Sequence, residues 1–145
     1  MGTTAAVAVT YSCFAMADLL DTHVYSVIGE EGFRRLVAGF YRRVPDDDIL
    51  GPMYPKRDMA GAEERLRGFL IQRFGGPEHY SQKRGHPRLR MRHAPFKITR
   101  AGRDRWVQLM EAALAEAELP PEVHPPLRQF FHEAGTFMIN HPGDV

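Results

Sequence analysis

A chain of 145 residues, 43% hydrophobic and 26% charged, has the make-up of one globular domain, and folding at this size buries roughly two thirds of the unfolded surface. The net charge of +1 says little about partners, and the single cysteine, Cys13, excludes an intrachain disulfide and any multi-cysteine zinc or iron-sulfur site. A reducing cytoplasm is the expected setting, and no run approaches the roughly 20 apolar residues that cross a bilayer.

Met1 to Met16 carry no charged side chain and include the weakly hydrophobic Ala5-Ala6-Val7-Ala8-Val9. A secretory signal has a basic start and a longer apolar stretch, although Ala15-Met16-Ala17 faintly resembles a cleavage site. The expectation is a disordered extension over residues 1–16, or a start at Met16, ahead of one domain over 17–142. Phe33, Leu36, Val37, Phe40, Tyr41 and Val44 then recur at three- and four-residue spacing, which predicts a helix of about four turns with one buried face, ended by Pro45 and Asp46-Asp47-Asp48. Ala62, Leu66, Phe69, Leu70 and Phe74 predict a second helix, terminated by Gly75-Gly76-Pro77.

Residues 77–98 form a long connection broken by proline and glycine, and Met91, Phe96 and Ile98 within it argue for order. Thr99 is placed to cap a third helix with Trp106, Met110, Ala113, Leu114 and Ala117 on one face, closed by Pro120-Pro121. A fourth helix follows Pro125-Pro126 and carries Leu127, Phe130, Phe131, Ala134, Phe137 and Met138. No segment alternates like a strand and no internal repeat is present, so the fold class is all-α.

His93 closes a short arginine-laced segment between Pro87 and Pro95, which leaves its imidazole little freedom to reorient and suits a metal held by one protein bond. Taken alone, a histidine is more often structural than a ligand, and a tyrosine such as Tyr41 or a lone tryptophan such as Trp106 is more often core packing. His86 reads as structural, and His23, His79, His124, His132 and His141 as surface or helix-end residues. A rival reading rests on nine lysines and arginines from Lys83 to Arg105 against one acid, Asp104, a cluster able to track a phosphate backbone. A zinc hydrolase is weaker still, for want of a paired-histidine helix motif.

Several motifs decide between these readings: Phe40-Tyr41, Tyr54-Pro55, Ala60-Gly61-Ala62-Glu63-Glu64-Arg65-Leu66-Arg67, Gly75-Gly76-Pro77, Tyr80-Ser81, the run from Gly85 to Phe96, and Trp106. In this order and spacing, over roughly residues 18–142, they resemble the truncated haemoglobins, specifically the group II branch. The resemblance implies a two-over-two helical sandwich enclosing haem b, with His93 as the proximal iron ligand. Tyr41, Tyr54, Ala62, Leu66 and Trp106 would line the distal ligand pocket, with Ala62 where many globins have a distal histidine. Arg65, Phe69, Tyr80, Arg90, Arg92, Phe96 and Met110 would contact the cofactor, the cations near its carboxylates. The N-terminal extension departs from the family pattern.

Ferrous haem with a neutral imidazole at its fifth position leaves the sixth open to O2, CO or NO. The Tyr41 hydroxyl and the Trp106 indole N–H are donors, and a hydrogen bond to a partly charged ligand is worth ~1.5 to 3 kcal/mol. The resemblance therefore implies reversible O2 binding with slow release, for oxygen storage, transport or sensing, with no nucleic acid or membrane as partner. The alternative is a haem enzyme acting on peroxide or nitric oxide, which would need a separate reductase. A homodimer is a further implication, for which the sequence offers no interface.

Overall fold

The structure is a computed structural model that describes residues 2–141, with side chains from residue 23 onward, so Met1 of the segment expected to be disordered over 1–16 and the domain end expected at residue 142 lie outside the described residues. Among the described residues six α-helices run in chain order: α1 (Gly2–Arg43), α2 (Met59–Arg73), α3 (His79–Arg84), α4 (Leu89–His93), α5 (Arg100–Glu116) and α6 (His124–Met138). Single 3-10 turns, Gly51–Met53 and Pro121–Val123, lead into the loop before α2 and into α6. No strand occurs among the described residues, and no helix among them is long and apolar enough to cross a membrane.

α1 is two helical pieces joined at Gly29, whose φ of 62° and ψ of −173° suit a residue without Cβ. The second piece carries the predicted apolar face, with Phe33, Leu36, Val37, Phe40 and Val44 all fully buried. What stops it is chiefly Asp47. One carboxylate oxygen accepts from Leu50 N at 2.7 Å and Ile49 N at 3.0 Å, while the other takes Arg105 Nη1 of α5 at 2.6 Å. Burial pushes the Asp47 carboxyl up, and these bonds with the Arg105 charge outweigh it and hold the group below the usual carboxylate range.

Asp58 caps α2 by accepting from Gly61 N at 3.2 Å, and Thr99 caps α5 by accepting from Gly102 N at 3.2 Å, the latter as the sequence predicts. α5 ends at Glu116, ahead of Pro120-Pro121, and Glu118 turns the chain with a positive φ of 53°. α6 starts at His124, so Pro125 and Pro126 sit inside its first turn, where no intrahelical N–H is required.

α1 packs against α2 and across α5, and α5 packs on α6, which makes two helix pairs stacked one over the other. Phe33, Phe40, Phe74, Met110, Leu114, Leu127 and Phe131 fill the space between them. Three apolar residues behave otherwise than the pattern suggests. Phe137 is 55% exposed, Met91 59% and Phe96 43%, so the connection of residues 77–98 owes its order to hydrogen bonds rather than to these side chains.

At the α2 exit the backbone is closely approached by its neighbours. Phe33 stacks between Tyr25 and Phe74 at 6.3 and 6.1 Å, Tyr25 N donates to Phe74 O at 3.1 Å, and a Cβ on Gly76 would lie 2.5 Å from Ile71 Cγ2 and 2.7 Å from the Tyr25 ring. Gly76→Ala is therefore expected to lower unfolding stability by about 1–3 kcal/mol. Chemical denaturation checks this, and an unchanged midpoint would show that the Tyr25 ring yields freely.

Candidate functional site

A helix of five residues cannot hold its own shape in water, so α4 depends on what grips it. Arg92 grips the approach: Nε donates to Pro87 O at 2.7 Å, and Nη2 donates to Arg84 O at 2.8 Å and His86 O at 3.4 Å. His86 contributes locally, with Nδ1 accepting from Arg88 N at 3.1 Å as Arg88 adopts a left-handed φ of 42°. At the end of α4, His93 Nδ1 lies 2.7 Å from Leu89 O. A carbonyl only accepts, so Nδ1 carries the proton and Nε2 keeps its lone pair, the tautomer a metal needs.

His93 faces a cavity of about 570 Å³ between α2, the α3–α4 connection, α5 and α6. The same cavity is lined by Tyr41 from α1, Tyr54 from the loop before α2, Ala62 and Leu66 from α2 and Trp106 from α5. Tyr41 and Tyr54 meet edge to face at 5.7 Å, and Phe40 stands against Tyr41, Tyr54 and Trp106 at 5.2, 6.0 and 6.2 Å. Phe131 supports Trp106 edge-on at 5.7 Å. Two polar rings from different helices are thereby aimed into one space by an apolar wedge, Phe40.

Burial pushes both tyrosine hydroxyls above the ordinary tyrosine range. For Tyr41 the Arg65 charge pulls the other way and Glu63 adds to the rise; for Tyr54 the neighbouring Tyr41 adds to it and a hydrogen bond with Trp106 opposes it. Both are un-ionised donors at neutral pH.

Phe69, Tyr80, Arg65, Arg92 and Phe96 also line the cavity. Tyr80 packs edge-on against Phe69 at 5.8 Å, with the Arg92 guanidinium 6.0 Å from its ring. Arg65 pairs with Asp58 at 3.2 Å at the mouth. Two of the candidate residues lie elsewhere: Arg90 sits over the exposed Phe137 ring at 5.2 Å, outside the cavity, and Met110 is fully buried in the core. Met53, Arg84, Ile98, Arg103, Phe130, Ala134 and Met138 line the cavity without having been singled out. Phe130, Ala134 and Met138 do fall on the predicted α6 face, but periodicity cannot separate a cavity wall from a core. Arg84 carries no signal of its own.

The donor set bears on what fills this space. Among the described residues no group of three histidine, cysteine or carboxylate side chains converges, so a bare metal ion lacks ligands, whereas a metal already held in a macrocycle needs only the one nitrogen that His93 offers. The volume falls in the roughly 300–1,000 Å³ range of cofactor sites, the walls are apolar and aromatic, and Arg65, Arg84 and Arg92 border it where a haem's carboxylates need cations. The residues present therefore fit haem. The basic cluster is partly engaged within the protein: Arg92 on loop carbonyls, Arg103 on Asp104 and Thr136, Arg105 on Asp47 and Asp48.

Comparisons with known proteins agree with this geometry. Residues 23–140 match the family of bacterial-like globins. A group 2 truncated haemoglobin of Bacillus subtilis is 39% identical over 99 residues, 68% of this chain and 74% of its own. A thermostable haemoglobin from the actinobacterium Thermobifida fusca superposes with a TM-score of 0.78 at 48% identity, covering 82% of this chain and 98% of that one. A truncated oxygen-avid haemoglobin from Bacillus subtilis does so with a TM-score of 0.76 at 36% identity, covering 80% and 98%.

The raised hydroxyls make a pH prediction. Between the ordinary tyrosine value of about 10 and the higher folded values, the unfolded chain has released these protons and the folded one has not, so stability falls as pH rises through that window. Phenolate absorbance during an alkaline titration should show two tyrosines un-ionised beyond the ordinary range until the fold is lost, and replacing both by phenylalanine should remove that lag.

Proposed function

The chain belongs to the bacterial-like globin family, among the group 2 truncated haemoglobins with haem as cofactor and O2 as ligand, and from that premise we propose that Tyr41 and Trp106 slow the release of O2 from the iron held by His93. The observation that carries this reading is the His93 imidazole, with Nδ1 committed to Leu89 O, in the lining of a cavity that Tyr41 and Trp106 also line. Haem supplies a ferrous iron that takes one imidazole nitrogen and leaves one position open to a diatomic ligand. Everything else is done by the chain's own side chains.

His93 would supply the one protein nitrogen that holds the iron, a ligand that leaves reversible binding open. Tyr41 and Trp106 present an O–H and an N–H to a ligand that gathers negative charge, which favours O2 over CO because CO stays close to neutral. Burial keeps the Tyr41 proton in place at neutral pH, so the donor is always loaded. Tyr54 holds the Tyr41 ring from its edge. Ala62 neither donates nor blocks. Arg65 and Arg84 take the haem carboxylates at the mouth. The oxygen-avid relative has the same overall structure, which supports a binding role with slow release. The single cysteine fits a reducing compartment, and the cytoplasm is the proposed setting.

Two substitutions test the assignments. His93→Ala should yield protein without a stable haem spectrum, partly restored by added imidazole; a native spectrum in this variant would remove His93 from its role. Tyr41→Phe should raise the O2 dissociation rate about ten- to hundredfold, the equivalent of one charge-assisted hydrogen bond, and leave the CO rate nearly unchanged. Stopped-flow ligand displacement reads both, and an O2 rate that does not rise would show that Tyr41 is packing alone.

A further inference from the structure

The carbonyl groups at the far end of α4 have a partner from a different part of the chain. Asn140, two residues beyond α6, donates from Nδ2 to Phe96 O, three residues past α4, at 2.8 Å and to His93 O at 3.4 Å, a carbonyl that also accepts from Phe96 N at 3.0 Å; its Oδ1 accepts from Ile98 N at 2.9 Å and lies 2.7 Å from His141 Nδ1. The backbone follows suit, with Asn140 N and His141 N donating to Ile98 O at 3.1 and 3.0 Å. The amide's orientation is dictated by its neighbours, because only its NH2 can serve two carbonyls and only its oxygen can take the Ile98 N–H.

We propose that Asn140 is a positioning residue for the iron-binding imidazole: its NH2 group, anchored at the end of α6, sets the height and tilt of the last turn of α4 and so the direction of His93 Nε2. A helix terminus leaves its last carbonyls without intrahelical partners, and in a single turn those carbonyls are most of the helix. The His93 ring is tied to Leu89 O one turn earlier, so ring and turn move together. Arg92 holds the approach to α4 through Pro87, Arg84 and His86, all within the same connection, and cannot fix α4 relative to the rest of the fold. Asn140 joins it to α6, the helix on which α4 packs.

This inference rests on His93 being the iron ligand. Two variants of the full-length holoprotein at neutral pH separate its parts: Asn140→Asp keeps an oxygen for the Ile98 N–H but loses both donated bonds, and Asn140→Ala loses all three. The iron–histidine stretching band of the deoxygenated ferrous protein, read by resonance Raman, and the rate of haem transfer to apomyoglobin are the measurements. Both variants should show a shifted or broadened band and haem loss faster by about tenfold, with helical circular dichroism retained in Asn140→Asp. If Asn140 only anchors the loop through Ile98, Asn140→Asp keeps the wild-type band and rate, and the proposal falls. Should Asn140→Ala not fold, Asn140→Asp decides alone. Absence of the band in the wild type overturns the ligand assignment and this proposal with it; a band present and unmoved in the variants overturns this proposal only.

Discussion

A hydrogen bond 2.7 Å long, from His93 Nδ1 to Leu89 O, does three things at once. It chooses the tautomer, it stops the ring from turning about its side-chain torsions, and it makes the imidazole part of a rigid turn. An imidazole free to rotate would offer iron either nitrogen at any angle. With Nδ1 committed, Nε2 is the one remaining lone pair, and the question of how the iron is held becomes a question of how α4 is held. The surrounding connection answers it with polar contacts rather than burial: Met91 and Phe96 stand largely exposed, and Arg92 gathers loop carbonyls instead.

The far side of the cavity follows a different logic. Tyr41, Tyr54 and Trp106 come from three separate segments and owe their mutual placement to apolar rings behind them, Phe40 and Phe131 above all. Asp47 makes this arrangement possible from outside the cavity. By binding Ile49 N, Leu50 N and Arg105 it fixes where the chain leaves α1 and ties that turn to α5 at the residue beside Trp106. In the proposed reading the donors are therefore preorganised by a core and an ion pair, and the imidazole of His93 by hydrogen bonds. Preorganisation matters to both, since a donor that must first find its orientation loses part of what its bond contributes.

Much of this is legible in the sequence where the signal is periodic or local. The apolar faces of α1 and α2, the Thr99 cap and the four long helices follow from spacing alone, because a helix repeats its environment every three to four residues. The pocket residues are legible through family resemblance, because a residue taken singly carries no such meaning: Tyr41 by itself reads as packing. Arg90 and Met110 show the limit of that route. Both stand at positions suited to cofactor contact, yet one lies over Phe137 and the other inside the core, since small rotations of a helix decide which wall a side chain faces.

Helix content, the single domain and the presence of one histidine on a constrained segment belong to the chain as written, because they depend on neighbours within a few residues of each other. Which nitrogen of His93 is free, which arginines border the cavity and which engage loops or acids, and what holds α4 at its far end depend on contacts across long stretches of chain. Asn140 is the clearest case: an asparagine just past a helix has no periodicity and no motif to mark it, and only folding brings its amide to the carbonyls of His93 and Phe96. Directional bonds between distant residues leave no imprint on local sequence pattern, whereas burial does, and that difference divides what the sequence specifies from what the fold adds.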